Sequence, residues 1–197
     1  MRLGVLVSGR GSNLEAVLRA GFTVALVISN RPAARALEVA ADHGVPVRVL
    51  RRGHFADAEA RDAAIGGAFT GAGVELALLA GYDQLLRPSY FVTFAGRTIN
   101  IHPSLLPAHG GAGMTGVAVH RSVLEAGDAE TGVTIHEVTP DLDAGPILAQ
   151  SRVPVLPDDD EAALAGRVLV EEHRLLVETL AQIAARWPAG VGGHDAC

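Results

Sequence analysis

Leu3-Gly4-Val5-Leu6-Val7-Ser8-Gly9-Arg10-Gly11-Ser12-Asn13-Leu14 decides the fold. Its first half is a short apolar run, and Arg2–Ser8 reads as a buried strand. Gly9 and Gly11 then punctuate the chain. A helical pattern follows over Ser12–Arg19, with Ser12 or Asn13 expected near its cap. A strand, a glycine turn and a helix in direct succession open an α/β unit.

The same alternation continues outward. Strands are predicted at Thr23–Ser29, Val47–Leu50, Leu76–Ala80 and Arg97–His102. Helices are predicted at Pro32–His43, His54–Ala72 and Pro88–Ala95 between them. The pattern implies an α/β fold with a doubly wound, mainly parallel sheet and helices on both faces. Val117–Ala126 reads as helix, Thr131–Val138 and Ile147–Val155 as two strands paired antiparallel, and Glu161–Arg186 as a long helix. Residues 1–186 are expected to form one domain. The tail Trp187–Cys197, with three glycines and a proline, is expected to be mobile.

Composition removes several function classes. The chain has 197 residues, a formal charge of −6 and 49% hydrophobic residues. No apolar run approaches the roughly 20 residues of a membrane helix. Gly9 stops the first run too early for a signal peptide, so the expectation is a cytoplasmic protein without a membrane partner. Cys197 is the only cysteine, which removes a disulfide framework or a cysteine metal site within one chain. All 16 basic residues are arginine. A Schiff-base lysine and the lysine of a phosphate loop are therefore absent. The acidic balance and the lack of an arginine cluster argue against a nucleic-acid partner.

Three clusters carry chemistry. The first is the turn Gly9-Arg10-Gly11-Ser12-Asn13. Glycines let backbone approach a ligand, and a helix N-terminus offers free N–H groups and partial positive charge, which suits a phosphate. A ligand-free tight turn is the bland alternative. A dinucleotide site is a third, but its last glycine falls on Leu14 and no acidic residue follows the second strand.

The second cluster is Asn100-Ile101-His102-Pro103. Strand alternation puts Asn100 and His102 on one face at the strand's C-terminal end. An amide that stabilises an oxyanion beside an imidazole that moves a proton suits a carbonyl reaction. An isolated pair of this kind can equally just close a strand. The third cluster is Pro140-Asp141-Leu142-Asp143-Ala144-Gly145-Pro146, whose carboxylates matter only if one reaches His102 and raises its pKa. Histidines 102, 109, 120, 136 and 173 are too scattered to argue a metal site. Between these clusters, the long loop Pro107–Gly116 holds four glycines and Met114 and is expected to act as a flap over a ligand, a spacer with no role being the alternative.

Val7-Ser8-Gly9-Arg10-Gly11-Ser12-Asn13-Leu14, Asn100-Ile101-His102-Pro103-Ser104-Leu105-Leu106-Pro107 and Thr139-Pro140-Asp141-Leu142-Asp143-Ala144-Gly145-Pro146 together resemble the phosphoribosylglycinamide formyltransferase family. The resemblance runs from about residue 2 to residue 186 and implies a Rossmann-like formyltransferase fold. It implies transfer of the formyl group of 10-formyltetrahydrofolate, a co-substrate, to the amine of N1-(5-phosphoribosyl)glycinamide in purine biosynthesis. It calls for no metal and for small-molecule substrates only, in a monomer or homodimer. By matching position, Asn100, His102 and Asp143 resemble the catalytic trio. Gly11, Ser12, Asn13 and Glu172 resemble the ribonucleotide contacts. Asp83, Gln84, Leu85 and Leu86, together with Asn100, resemble the folate contacts.

Some positions depart from the family's pattern. Ala58 stands where members often carry a basic folate contact, and Arg61, one helical turn on, is carried in its place. Asp83 and Gln84 replace apolar and basic residues of some relatives, Leu169 replaces a polar one, and the loop Gly110–Gly116 is longer than in the best-known members. The competing readings are a related transferase with another acceptor, a formyltetrahydrofolate hydrolase, and a silent nucleotide-binding module. The first two normally add a C-terminal RNA-binding or an N-terminal regulatory domain, for which this chain is expected to be too short.

Overall fold

Every residue of Leu3–Val7 (β1) is buried, so this strand packs on both faces. Leu3, Val5 and Val7 point one way and meet Leu14, Val17, Ala36, Ala40, Val123 and a buried stripe from Leu164 to Leu180. Leu6 points the other way, toward Ile65, Phe69, Tyr90 and Phe94. Burying each such side chain contributes about 1.5–3 kcal/mol, which makes the central strand the anchor of two cores. Gly4 is required there, because a Cβ would lie 2.6 Å from the Phe69 ring.

The computed structural model describes residues 1–187. Ser12–Arg19 (α1) leads to Val24–Ser29 (β2), Arg35–Asp42 (α2) and Val47–Val49 (β3). Ala58–Gly71 (α3), Leu76–Leu79 (β4), Pro88–Thr93 (α4) and Arg97–His102 (β5) follow. Val117–Ala126 (α5), Glu130–Glu137 (β6), Ile147–Pro154 (β7) and Glu161–Ala185 (α6) complete the order. The sheet order is β3-β2-β1-β4-β5-β6-β7, parallel through β5 and antiparallel for β6 and β7. The buried residues of α1, α2, α5 and α6 share one core and those of α3 and α4 the other, which is the doubly wound arrangement expected. Because β1 lies between β2 and β4, the chain leaves it toward opposite edges, and a crevice opens at the C-terminal ends of β1 and β4.

Several boundaries differ from the sequence reading, each for a local reason. The α2 helix starts at Arg35 rather than Pro32, because Pro32–Ala34 forms a turn and the Ala36 N–H bonds the Gly9 carbonyl. The α3 helix starts at Ala58 rather than His54, where Asp57 accepts from Ala60 N as its cap. The cap of α1 is Gly11 at φ 81°, not Ser12 or Asn13, and no side chain bonds the helix end. Of the tail, Trp187 donates from its Nε1 to Glu75 at 3.2 Å. The expected mobility of the rest of the tail concerns residues 188–197, which lie outside the described residues.

Candidate active site

A cavity of about 630 Å³ occupies the crevice. Its floor comes from the loops that follow β1, β4 and β5. One flank is the segment 111–117, a second is Val138–Asp143, and Leu169 and Glu172 of α6 close the side. Asn100, His102, Asp143, Gly11, Ser12, Asn13, Glu172, Asp83, Gln84, Leu85 and Leu86 all line it. Arg61 does not.

The turn after β1 meets the cavity at Gly11. Its φ of 81° is a left-handed conformation that favours glycine, and a Cβ would lie 2.7 Å from Ala36 Cα and Cβ. With no side-chain cap on α1, the first amides of the helix remain available to an anion. Asn13 directs its side-chain Nδ2 not into the cavity but to Glu172 at 3.4 Å. Its Oδ1 is buried without a partner. Glu172 is itself buried, and that burial pushes its carboxyl up to about 7, against weaker pulls from Asn13 and Arg10.

The other end of the cavity is built around Asp83. Ser8 Oγ and Asn30 Nδ2 donate to its Oδ1 at 2.9 and 2.7 Å, and Arg31 pairs with Oδ2. Burial alone would raise this carboxyl, but the hydrogen bonds from Asn30, Ser8 and Gln84 outweigh it and hold it below its ordinary value. Arg61 is 2% exposed and bonds Asp62 at 2.7 Å. One guanidinium nitrogen donates to Gln84 Oε1 at 3.2 Å. The expected direct folate contact by Arg61 is therefore corrected: its charge is spent on Asp62, and it reaches the cavity wall only through Gln84.

Between these ends, β5 places Asn100 and His102 on one face. Asn100 Nδ2 lies 3.1 Å from His136 Nε2, and His136 Nδ1 lies 2.9 Å from the Glu137 carbonyl. A carbonyl only accepts, so His136 carries its proton on Nδ1 and its Nε2 accepts from Asn100. His136 stands directly opposite Asn100 in the β5–β6 register, so the ladder aims the amide. Sequence reading set His136 aside with the scattered histidines, since its role depends on a strand pairing that no local pattern reveals.

His102 donates from Nε2 to the His109 carbonyl at 2.9 Å. Asp143 accepts from Gly111 N at 2.8 Å, and its other oxygen lies 3.6 Å from His136 Nε2. No hydrogen bond joins Asp143 to His102 among the described residues. Burial lowers the His102 pKa, and it outweighs the His109 carbonyl bond and the attraction of Asp143, which both raise it. The raised pKa that a carboxylate at His102 would give is thus corrected: burial favours the neutral imidazole, with Nδ1 as its free nitrogen. Among the described residues no group of three or more His, Cys, Asp or Glu side chains forms a metal site, and no helix is long and apolar enough to cross a membrane.

An uncapped helix N-terminus, an amide and an imidazole converging at the switch point of a doubly wound sheet make an arrangement suited to group transfer, as in the formyltransferase class. The chain matches the formyl transferase family over residues 1–180 and belongs to it. Within that family, it is 41% identical to phosphoribosylglycinamide formyltransferase of Mycobacterium tuberculosis, over 97% of this chain and 88% of that protein. It is 39% identical to the trifunctional purine biosynthetic protein adenosine-3 of Drosophila melanogaster, covering 92% of this chain but 14% of that much longer protein. Among solved structures, glycinamide ribonucleotide transformylase 1 from Symbiobacterium toebii superposes with a TM-score of 0.88 at 40% identity, covering 94% of this chain and 88% of that one.

Proposed function

We propose that this chain is an enzyme of purine biosynthesis that moves the formyl group of 10-formyltetrahydrofolate to the amine of N1-(5-phosphoribosyl)glycinamide. Residues 1–186 act as one catalytic domain in the cytoplasm. The observation that carries this reading is that Asn100 and His102 lie in one cavity between an uncapped helix N-terminus and the segment Asp83–Leu86. The phosphate binds at Gly11, Ser12 and Asn13, through backbone amides rather than the Asn13 side chain. Glu172 takes the hydroxyls or amide of the same substrate. Asp83, Gln84, Leu85 and Leu86 hold the folate ring, with Arg61 fixing Gln84 from behind.

The chemistry follows from the hydrogen bonds. The neutral amine attacks the formyl carbon, a C–N bond forms, and the carbonyl pair moves onto oxygen. One N–H of Asn100 is engaged by His136 and the second stabilises that oxyanion. His102 Nδ1 takes a proton from the attacking nitrogen, since Nε2–H is already held by His109. The resulting imidazolium is stabilised by the nearby Asp143 carboxylate. It then returns the proton to the folate nitrogen as the old C–N bond breaks.

The test is release of deformylated folate, followed by absorbance with and without the ribonucleotide. Acceptor-dependent release is expected. Equal release without acceptor points to hydrolysis and refutes transfer.

A further inference from the structure

Three residues that do not line the cavity form a continuous cluster beside it. His109 Nε2 lies 2.6 Å from Asp128 Oδ2, and His109 Nδ1 lies 2.8 Å from Ser122 Oγ. Ser122 is on α5, and Asp128 is in the turn between α5 and β6. A carboxylate only accepts, so His109 carries a proton on Nε2. His109 adopts φ 54°, an uncommon conformation for any residue but glycine, costing about 1 kcal/mol or more. Its side-chain bonds to two separate elements hold it there.

The main chain of this residue addresses the reaction centre. The His109 carbonyl receives His102 Nε2–H, and two residues on, Gly111 N–H donates to Asp143. The preceding residue is held as well, since Ser104 Oγ donates to the Ala108 carbonyl at 2.6 Å. Segment 108–111 is thus a strap that touches both candidate catalytic side chains, and the His109 ring is its outer anchor.

We propose that His109, anchored by Asp128 and Ser122, is a positioning residue that fixes the tautomer and orientation of His102 through its backbone carbonyl. With the carbonyl in place, Nε2 keeps the proton and Nδ1 is the base. With the anchor released, the carbonyl moves, His102 samples both tautomers, and the fraction ready to accept a proton falls. The proposal rests on the formyl-transfer reading of the same site.

The test combines kinetics with nitrogen-15 NMR of histidine-labelled free protein, using His109→Gly, Asp128→Ala and Asp128→Asn. Glycine accepts the positive φ, so it removes the anchor without adding backbone strain. In His109→Gly and Asp128→Ala, kcat is expected to fall about tenfold or more, with either KM changed less than about twofold. The His102 signals are expected to move from the Nε2–H tautomer toward a mixture. Asp128→Asn still accepts from His109 and should recover most of both signals. Wild-type kcat in Asp128→Ala, a raised KM with kcat kept, or an unchanged His102 tautomer in both anchor-loss variants overturns the proposal. The tautomer reading needs no substrate, so it stands or fails separately from the assigned reaction. Should His109→Gly not fold, the two Asp128 variants, at a side chain 41% exposed, decide alone.

Discussion

Replacing Glu172 with glutamine isolates what a buried charge costs this fold. Glu172 is 9% exposed, and its burial lifts the carboxyl from an ordinary 4.5 to about 7. In the unfolded chain the carboxyl returns to the ordinary range. Between the two values the folded state binds more protons than the unfolded state. The contribution to stability is therefore full below about 4.5 and is lost as pH rises through about 7. At about 1.4 kcal/mol per pH unit, that loss amounts to about 3 kcal/mol. Glu172→Gln keeps the shape and an acceptor for Asn13 but cannot ionise. Urea denaturation of both proteins at about pH 4.5 and about pH 8.5 measures the effect, and subtracting one protein from the other cancels other titrating groups such as His102. The variant is expected to gain about 2–3 kcal/mol on the wild type between the two conditions. Parallel stability profiles would refute the idea that Glu172 is held neutral by burial.

Three further outcomes are expected. Because burial lowers the His102 pKa, activity should fall on the acid side with a midpoint below the ~6.5 of free histidine, and an NMR titration placing His102 above that value contradicts the base role. Asn100→Ala should cut kcat by about a hundredfold or more with both KM values little changed, since the oxyanion exists only after attack; a change confined to KM would make Asn100 a binding residue instead. Gly11→Ala should cost about 1–3 kcal/mol in thermal or urea unfolding and raise KM for the ribonucleotide but not the folate, because its methyl group meets Ala36; equal losses for both substrates would remove the phosphate cradle.

Much of the fold was legible in local pattern. Arg97–His102 and Val117–Ala126 have the bounds that hydrophobic alternation and helical periodicity predict. The glycine turn after β1 was equally plain, because Gly11 answers a local backbone demand. What sequence hid were contacts made across the chain. His136 meets Asn100 only once β5 and β6 pair antiparallel. The partner of His102 is a main-chain carbonyl, which no residue type advertises. Arg61 is carried as a folate contact because its neighbour Asp62 lies outside the three- and four-residue spacings that signal pairing along a helix. The direction of the His102 pKa was missed because burial, a property of the assembled core, outweighs the carboxylate that the sequence displays.

The direct pairing of Asn100 with His136 separates two things that many loops tie together: the length of a connection and the alignment of what it connects. Residues 103–129 leave β5 and return to β6 through the glycine-rich segment and α5, but ladder hydrogen bonds alone set which residue of β6 opposes Asn100. A one-residue slip would turn His136 to the other face and abolish the contact, so that register is firmly specified. Lengthening the glycine-rich segment beyond Gly111 changes closure entropy by only a few tenths of a kcal/mol per added residue or less and shifts no rung. Residues 112–116 are therefore a region where insertions can reshape the cavity mouth without misaligning Asn100 or displacing the Gly111 bond to Asp143, and evolution or design can retune substrate access there.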